Sequence, residues 1–202
     1  RKDREEKDKE EAVRAVDATA TDMKDRSSLA GAPSQPMTDE QLVELRARAR
    51  SDPDSLRAAD LRTARDQLTT STNAKLGAIS LGTPHYSVPE FARLIELLGD
   101  RRIHPDIHAY VNTGRSVAHE LDLRGWSTRL ADAGVQLVTD TCTYITPVMA
   151  DIHGTAMTDS AKWAYYAPGN LGLDVAFGSV EDCVESAVRG EVVRDEGVWA
   201  DA

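Results

Sequence analysis

The stretch Leu76-Gly77-Ala78-Ile79-Ser80-Leu81-Gly82-Thr83-Pro84-His85-Tyr86-Ser87-Val88-Pro89-Glu90-Phe91-Ala92-Arg93-Leu94-Ile95-Glu96-Leu97-Leu98-Gly99 decides the fold. Leu76 to Leu81 is a short apolar run that ends at Gly82, which reads as a buried strand rather than a helix. From Pro89 the apolar positions Phe91, Leu94, Ile95 and Leu98 fall on one helical face, and Gly99 stops the helix. A buried strand that passes through a polar turn into an amphipathic helix is half of a strand–helix–strand unit.

The same grammar repeats toward the carboxyl end. Ile107 to Val111 reads as a strand and Arg115 to Asp122 as a helix. Ser127 can cap a short helix to Ala133, stopped by Gly134, and Val135 to Val138 reads as a buried strand. Ser160 to Tyr166 reads as a helix before Pro168. Leu173 to Phe177 reads as a strand, and Val180 to Val188 as a helix ended by Gly190. Parallel strands need such helical crossovers, so the pattern predicts an α/β fold. Its sheet is mostly parallel, with helices on both faces, and spans residues 76–202.

Upstream, residues 37–75 read as a helical segment. Thr38 and Gln41 form a capping-box pattern, Asp52-Pro53 stops that helix, and a second helix starts near Ser55 and carries Leu56, Leu61 and Leu68. Residues 1–36 form a charged extension, expected to be partly disordered, with a linker-like Ser27 to Pro36. The chain begins at Arg1 rather than Met and is expected to be a fragment or processed product.

The formal charge of -10 argues against nucleic acid and anionic membrane as partners. No apolar run approaches the roughly 18 residues of a membrane-spanning helix. The two cysteines, Cys142 and Cys183, are too few for a disulfide framework, so the cytoplasm is the expected compartment.

In open α/β sheets ligands collect beyond the carboxyl ends of the strands. Each expected strand runs into a polar segment: Gly82 to Ser87, Asn112 to Arg115, Thr139 to Thr143, and Gly178-Ser179 with Cys183 just beyond. Cys142 sits among the hydroxyls of Thr139, Thr141 and Thr143, a setting that favours chemistry over packing. Cys183 fits either a thiolate at a helix start or a buried helix face. Neither His104 nor His108 reads as a ligand, because Pro105 breaks the helix that would align them. In Thr158-Asp159-Ser160-Ala161-Lys162, Thr158 or Asp159 can cap a helix. The chemical alternative makes Ser160 a proton donor or acceptor and Lys162 the cation for a substrate carboxylate. Two cysteines do not complete a metal site.

Four segments in order, Leu81 to Ser87, Asp140-Thr141-Cys142-Thr143, Ser160 to Gly169, and Phe177 to Cys183, resemble the aconitase X family. The resemblance covers about Leu61 to Gly190. It implies the carboxy-terminal part of the large, catalytic subunit of a hydro-lyase that dehydrates a small hydroxy acid. The substrate implied is cis-3-hydroxy-L-proline or mevalonate 5-phosphate, with a lean toward the first. It also implies an iron or iron–sulfur centre on Cys142 and Cys183, completed by a ligand from outside this chain. An upstream large-subunit segment and a small swivelling domain or subunit are the implied partners. Ser160 and Lys162 are the expected catalytic residues, and His85, Ser87, Thr141 and Arg115 the expected substrate-binding residues. One departure stands out: the family usually has Asn where this chain has Asp159, so a neutral amide donor becomes an acceptor-only carboxylate. An inactive remnant that keeps the fold as a binding module is therefore a competing expectation. A thiol redox module ranks behind both, since the two cysteines form no Cys-x-x-Cys motif.

Overall fold

The computed structural model describes residues 58–71 and 74–199, together with helical backbone at Glu40 and Ala47. The charged extension 1–36 and the expected helix from Thr38 to Asp52 lie outside the described residues, apart from those two positions.

Five strands form one all-parallel sheet: β1 (Leu76–Tyr86), β2 (His108–Thr113), β3 (Val135–Thr139), β4 (Thr155–Thr158) and β5 (Val175–Phe177), in the spatial order β3-β2-β1-β4-β5. The helices are α1 (Ala58–Leu68), α2 (Val88–Leu98), α3 (Arg115–Leu123), α4 (Trp126–Ala133), α5 (Ala161–Leu171) and α6 (Val180–Arg189). A 3-10 turn at Glu196–Trp199 packs near α1. The sheet is more regular than the sequence suggested, being wholly rather than mostly parallel among the described residues.

Successive strand residues point to opposite faces of a sheet. On one face Ile79, Leu81, Ala109, Val111, Val135, Met157 and Ala176 pack under α2, α3, α4 and α6. The α2 residues Phe91, Leu94, Ile95 and Leu98 are buried there, at about 2 kcal/mol of apolar burial apiece. On the other face Ala156 and Val175 join Tyr144, Trp163, Ala164 and Ala167 in a second cluster under α5.

Beside that cluster the second face is polar where the chain crosses it. After β3, residues 140–154 return over β2 and β1 to reach β4. Asn112 accepts from the Thr143 N–H (3.2 Å) and donates to the Leu81 carbonyl (2.7 Å). The hydroxyls of Ser80 and Thr143 share a hydrogen bond (2.7 Å), and the Tyr110 hydroxyl accepts from the Ala150 N–H (2.9 Å). Gly77 gives the loop room, since a Cβ there would meet the His153 carbonyl oxygen at 2.8 Å. Asn112 thus pairs buried backbone of both β1 and the loop, while Ser80 holds the Thr143 hydroxyl.

Three differences from the sequence expectation matter for function. β4, Thr-Ala-Met-Thr, is fully buried and shows no alternation, so no periodicity marks it as a strand. β1 runs past Leu81 to Tyr86, with a register shift before it pairs again with Thr113, so the expected polar turn is the end of a strand. α5 continues through Pro168 to Leu171. A proline inside a helix costs about 3 kcal/mol, here offset by burial of Trp163, Ala164 and Ala167 on the sheet. Leu61, read as one of the apolar positions of the helix that starts near Ser55, is 50% exposed.

Candidate active site

Between β1 and β4 the chain direction across the sheet reverses. β2 and β3 lie to one side of β1, and β4 and β5 to the other. Ligands bind open α/β sheets in the crevice beyond such a switch point. A cleft of about 280 Å3 sits there, lined by Thr83, Tyr86, Glu90, Asp159, Ser160 and Lys162 among others. β1 supplies Thr83 and Tyr86, the turn after β4 supplies Asp159 and Ser160, and the start of α5 supplies Lys162.

Each cleft residue is held by a local cause. Ser160 is the amino-terminal cap of α5: its hydroxyl accepts from the Trp163 N–H (3.1 Å) and donates to the Thr83 carbonyl, tying the helix start to β1. The sequence offered Thr158 or Asp159 as that cap. Thr158 instead donates to the Ser80 carbonyl (2.6 Å). Lys162 is exposed in the first turn of α5, where the free N–H groups and the helix dipole favour an anion. Its ammonium lies 6.0 Å from the centre of the Tyr144 ring. Ser87 starts α2, with its N–H (2.7 Å) and hydroxyl (2.6 Å) both donating to Glu90.

The Asp159 carboxyl is strongly altered by its setting. Burial raises its carboxyl to about 6, with Glu90 and Glu181 acting in the same direction, even though the Tyr86 hydroxyl donates to it and pulls the other way. Burial and the neighbouring carboxylate push the Tyr86 phenol far above its ordinary value, so it stays a donor. Neither residue was expected to bind substrate. The only signal in the sequence was Asp159 itself, where the resembling family has an amide.

A second group lies at the ends of β1 and β3. The His85 Nε2 is 3.1 Å from the Thr141 carbonyl oxygen and 3.9 Å from the Cys142 sulfur. The Thr141 hydroxyl pairs with that of Thr146 (2.5 Å). Arg115 is exposed, but its guanidinium (2.5 Å) and its N–H (2.9 Å) both bind Asp140, which takes a left-handed conformation (φ 59°). Arg115 in turn holds the Asp140 carboxyl below the usual range. The structure thus brings His85, Thr141 and Cys142 together, groups Ser160 with Lys162, and ties up the Arg115 charge.

The two cysteines are not brought together. Cys142 is half-buried beside the cluster on the α5 face, whereas Cys183 is fully buried in the cluster on the opposite face, with Val184 and Ala187. Burial pushes the Cys183 thiol well up, with Asp159 and Asp182 adding to it, so it stays protonated. Among the described residues no three His, Cys, Asp or Glu side chains converge as a metal site. The residues present fit one corner of an iron centre, Cys142 with His85 beside it. In this arrangement Cys183 fills the packing alternative that its sequence left open.

Comparison with known proteins agrees with the architecture. The family model for the aconitase X third domain matches residues 76–189. The cis-3-hydroxy-L-proline dehydratase of Pseudomonas aeruginosa is 38% identical over 141 residues, 69% of this chain and 24% of that protein. The phosphomevalonate dehydratase large subunit of Methanothermobacter thermautotrophicus is 33% identical over 120 residues, 59% of this chain and 29% of that protein. The matched part therefore spans about a quarter of the length of these relatives. Aconitase X of Thermococcus kodakaraensis in its holo-form superposes with a TM-score of 0.55 at 24% identity, covering 64% of this chain and 33% of that one, a likeness of fold. With its parallel sheet, its switch-point cleft and a match over more than half its length, this chain belongs to the aconitase X family.

Proposed function

We propose that this chain forms part of a hydro-lyase that removes water from a small hydroxy acid, with cis-3-hydroxy-L-proline as the preferred substrate. The observation that carries the reading is the switch-point cleft, lined by Lys162 and the start of α5, whose volume suits a molecule of that size. In this reading Lys162 and the α5 terminus hold the substrate carboxylate. Ser160, on the cleft wall, exchanges its bond to the Thr83 carbonyl for one to the substrate and passes a proton. We assign His85, Ser87, Thr141 and Arg115 to substrate binding beside the cleft; Arg115 would have to leave Asp140 to contact substrate directly.

Dehydration also needs a group that draws off the hydroxyl. An iron or iron–sulfur centre would supply a Lewis acid for it. Cys142 is the residue of this chain that fits as its ligand. Cys183 would first have to lose its proton and its apolar contacts. We assign the remaining ligands to an upstream large-subunit segment, and closure of the cleft to a small swivelling domain or subunit. No helix among the described residues is long and apolar enough to cross a membrane, and we place the enzyme in the cytoplasm, where thiol ligands stay reduced.

The lining also bears on the alternative substrate, mevalonate 5-phosphate. Asp159 and Glu90 would repel a phosphate dianion. The test is anaerobic isolation of the intact protein, with iron and sulfide analysis and dehydration assays on both compounds. Iron that is lost in Cys142→Ala, with turnover of the hydroxyproline, is the expected result. Preferred turnover of the phosphate ester would overturn the substrate assignment. A protein with neither iron nor turnover would be a binding module that keeps the fold without the chemistry.

A further inference from the structure

The cleft is lined by groups of opposite charge. Lys162, in the first turn of α5, supplies an ammonium. Asp159, at the carboxyl end of β4, supplies a carboxylate that accepts from the Tyr86 hydroxyl and forms part of the cleft wall. Tyr86 is itself fixed: it is 6% exposed and packs edge-on against Phe91 at 5.7 Å. The phenolic donor and the backbone N–H of Asp159 itself still leave acceptor capacity on the carboxylate, because an ionised carboxylate has about four lone-pair sites. Among the charged residues lining the cleft, Lys162 is the cation, and no hydrogen bond or ion pair among the described residues joins it to Asp159. A bound molecule that meets both groups would therefore present an anion to Lys162 and a hydrogen-bond-donating cation to Asp159.

We propose that Asp159, oriented by Tyr86, is the specificity-determining residue that binds the ammonium group of a zwitterionic amino-acid substrate. This rests on the reading that the cleft holds the reacting molecule, and it assigns a role to a residue that the catalytic assignment leaves unused. Asp159 binds the substrate directly; Tyr86 is a positioning residue that fixes the carboxylate. A hydroxy acid without the amino group finds Lys162 complementary and the Asp159 carboxylate repulsive.

The test uses the intact protein and calorimetric binding of two probes that differ at one atom: L-proline, and tetrahydrofuran-2-carboxylate, in which the ring nitrogen is replaced by oxygen. Unmodified protein is expected to bind L-proline at least tenfold more tightly, the scale of a charge-assisted hydrogen bond. Asp159→Asn is expected to remove that preference while leaving the oxygen analogue bound as well as before, or better. Thermal melting checks that the variant is folded, and the comparison of the two probes on unmodified protein needs no variant. Equal affinity of unmodified protein for the two probes, or an unchanged preference in folded Asp159→Asn, would overturn the proposal. If dehydration of hydroxyproline persists alongside either result, the proposed function stands and only this role for Asp159 falls. Loss of both binding and turnover in unmodified protein sinks the two together.

Discussion

The hydroxyl of Tyr86, the last residue of β1, donates to the carboxylate of Asp159, the first residue after β4. This bond joins the two strands that flank the switch point at their carboxyl ends. It also joins the sheet to the start of α5, because Ser160 follows directly and bonds to Thr83. The cleft is therefore shaped by one continuous set of hydrogen bonds rather than by loops that happen to meet.

Asp159 should make stability depend on pH in a defined direction. Its carboxyl is held at about 6, above the ordinary 3.8, chiefly by burial. The folded state thus binds this proton more tightly than the unfolded chain. The resulting stability is present in full below about pH 4 and is lost as pH rises through about 6. Asp159→Asn removes the cost of the buried charge. We expect the variant to be more stable by about 1–3 kcal/mol at pH 7.5 and by little at pH 4. Denaturant unfolding at the two pH values measures this; a variant no more stable than its parent at pH 7.5 would contradict it.

The cysteines should differ sharply in reactivity. Cys142 is half-buried at the rim, whereas Cys183 is fully buried with its thiol pushed up. A thiol reagent at neutral pH should modify Cys142 in the native protein and reach Cys183 only on unfolding. Peptide mapping after labelling distinguishes the two sites, and native labelling of Cys183 would show that α6 opens more readily than its packing indicates.

Thr143 anchors the loop that carries Cys142. It is fully buried, accepts from the Trp163 indole N–H (2.8 Å), and shares a hydrogen bond with Ser80. Thr143→Val keeps the shape but strands both partners without water. The expected loss is about 2–3 kcal/mol of stability, with a change in Trp163 fluorescence. A loss below about 0.5 kcal/mol would mean that the loop reorganises to satisfy them.

Ser160→Ala separates capping from chemistry. It removes the cap of α5 and leaves the Thr83 carbonyl, on a residue only 3% exposed, without that donor. The expected destabilisation is about 1–3 kcal/mol, seen as a lower melting temperature. Ser160→Thr can keep both bonds and should recover most of the stability. If the threonine variant regains stability without turnover, Ser160 acts on the substrate as well as on the helix.

The sequence by itself determined the elements whose apolar residues repeat in register and whose ends carry caps. α2 was legible from Phe91, Leu94, Ile95, Leu98 and Gly99, and α6 from its apolar face and Gly190, because those signals are local. Four of the five strands were legible as short apolar runs, and their helical spacers required parallel pairing. Only the tertiary structure decided the rest. β4 has both faces buried and so shows no alternation, and it is its insertion beside β1 that creates the cleft. The order of strands depends on pairing between distant segments, which no local period encodes. The positions of Cys142 and Cys183 on opposite faces, and the meeting of Tyr86 with Asp159, 73 positions apart, follow from that order. Which face a side chain joins changes with a shift of one residue, so sequence could propose the partners of a site but not bring them together.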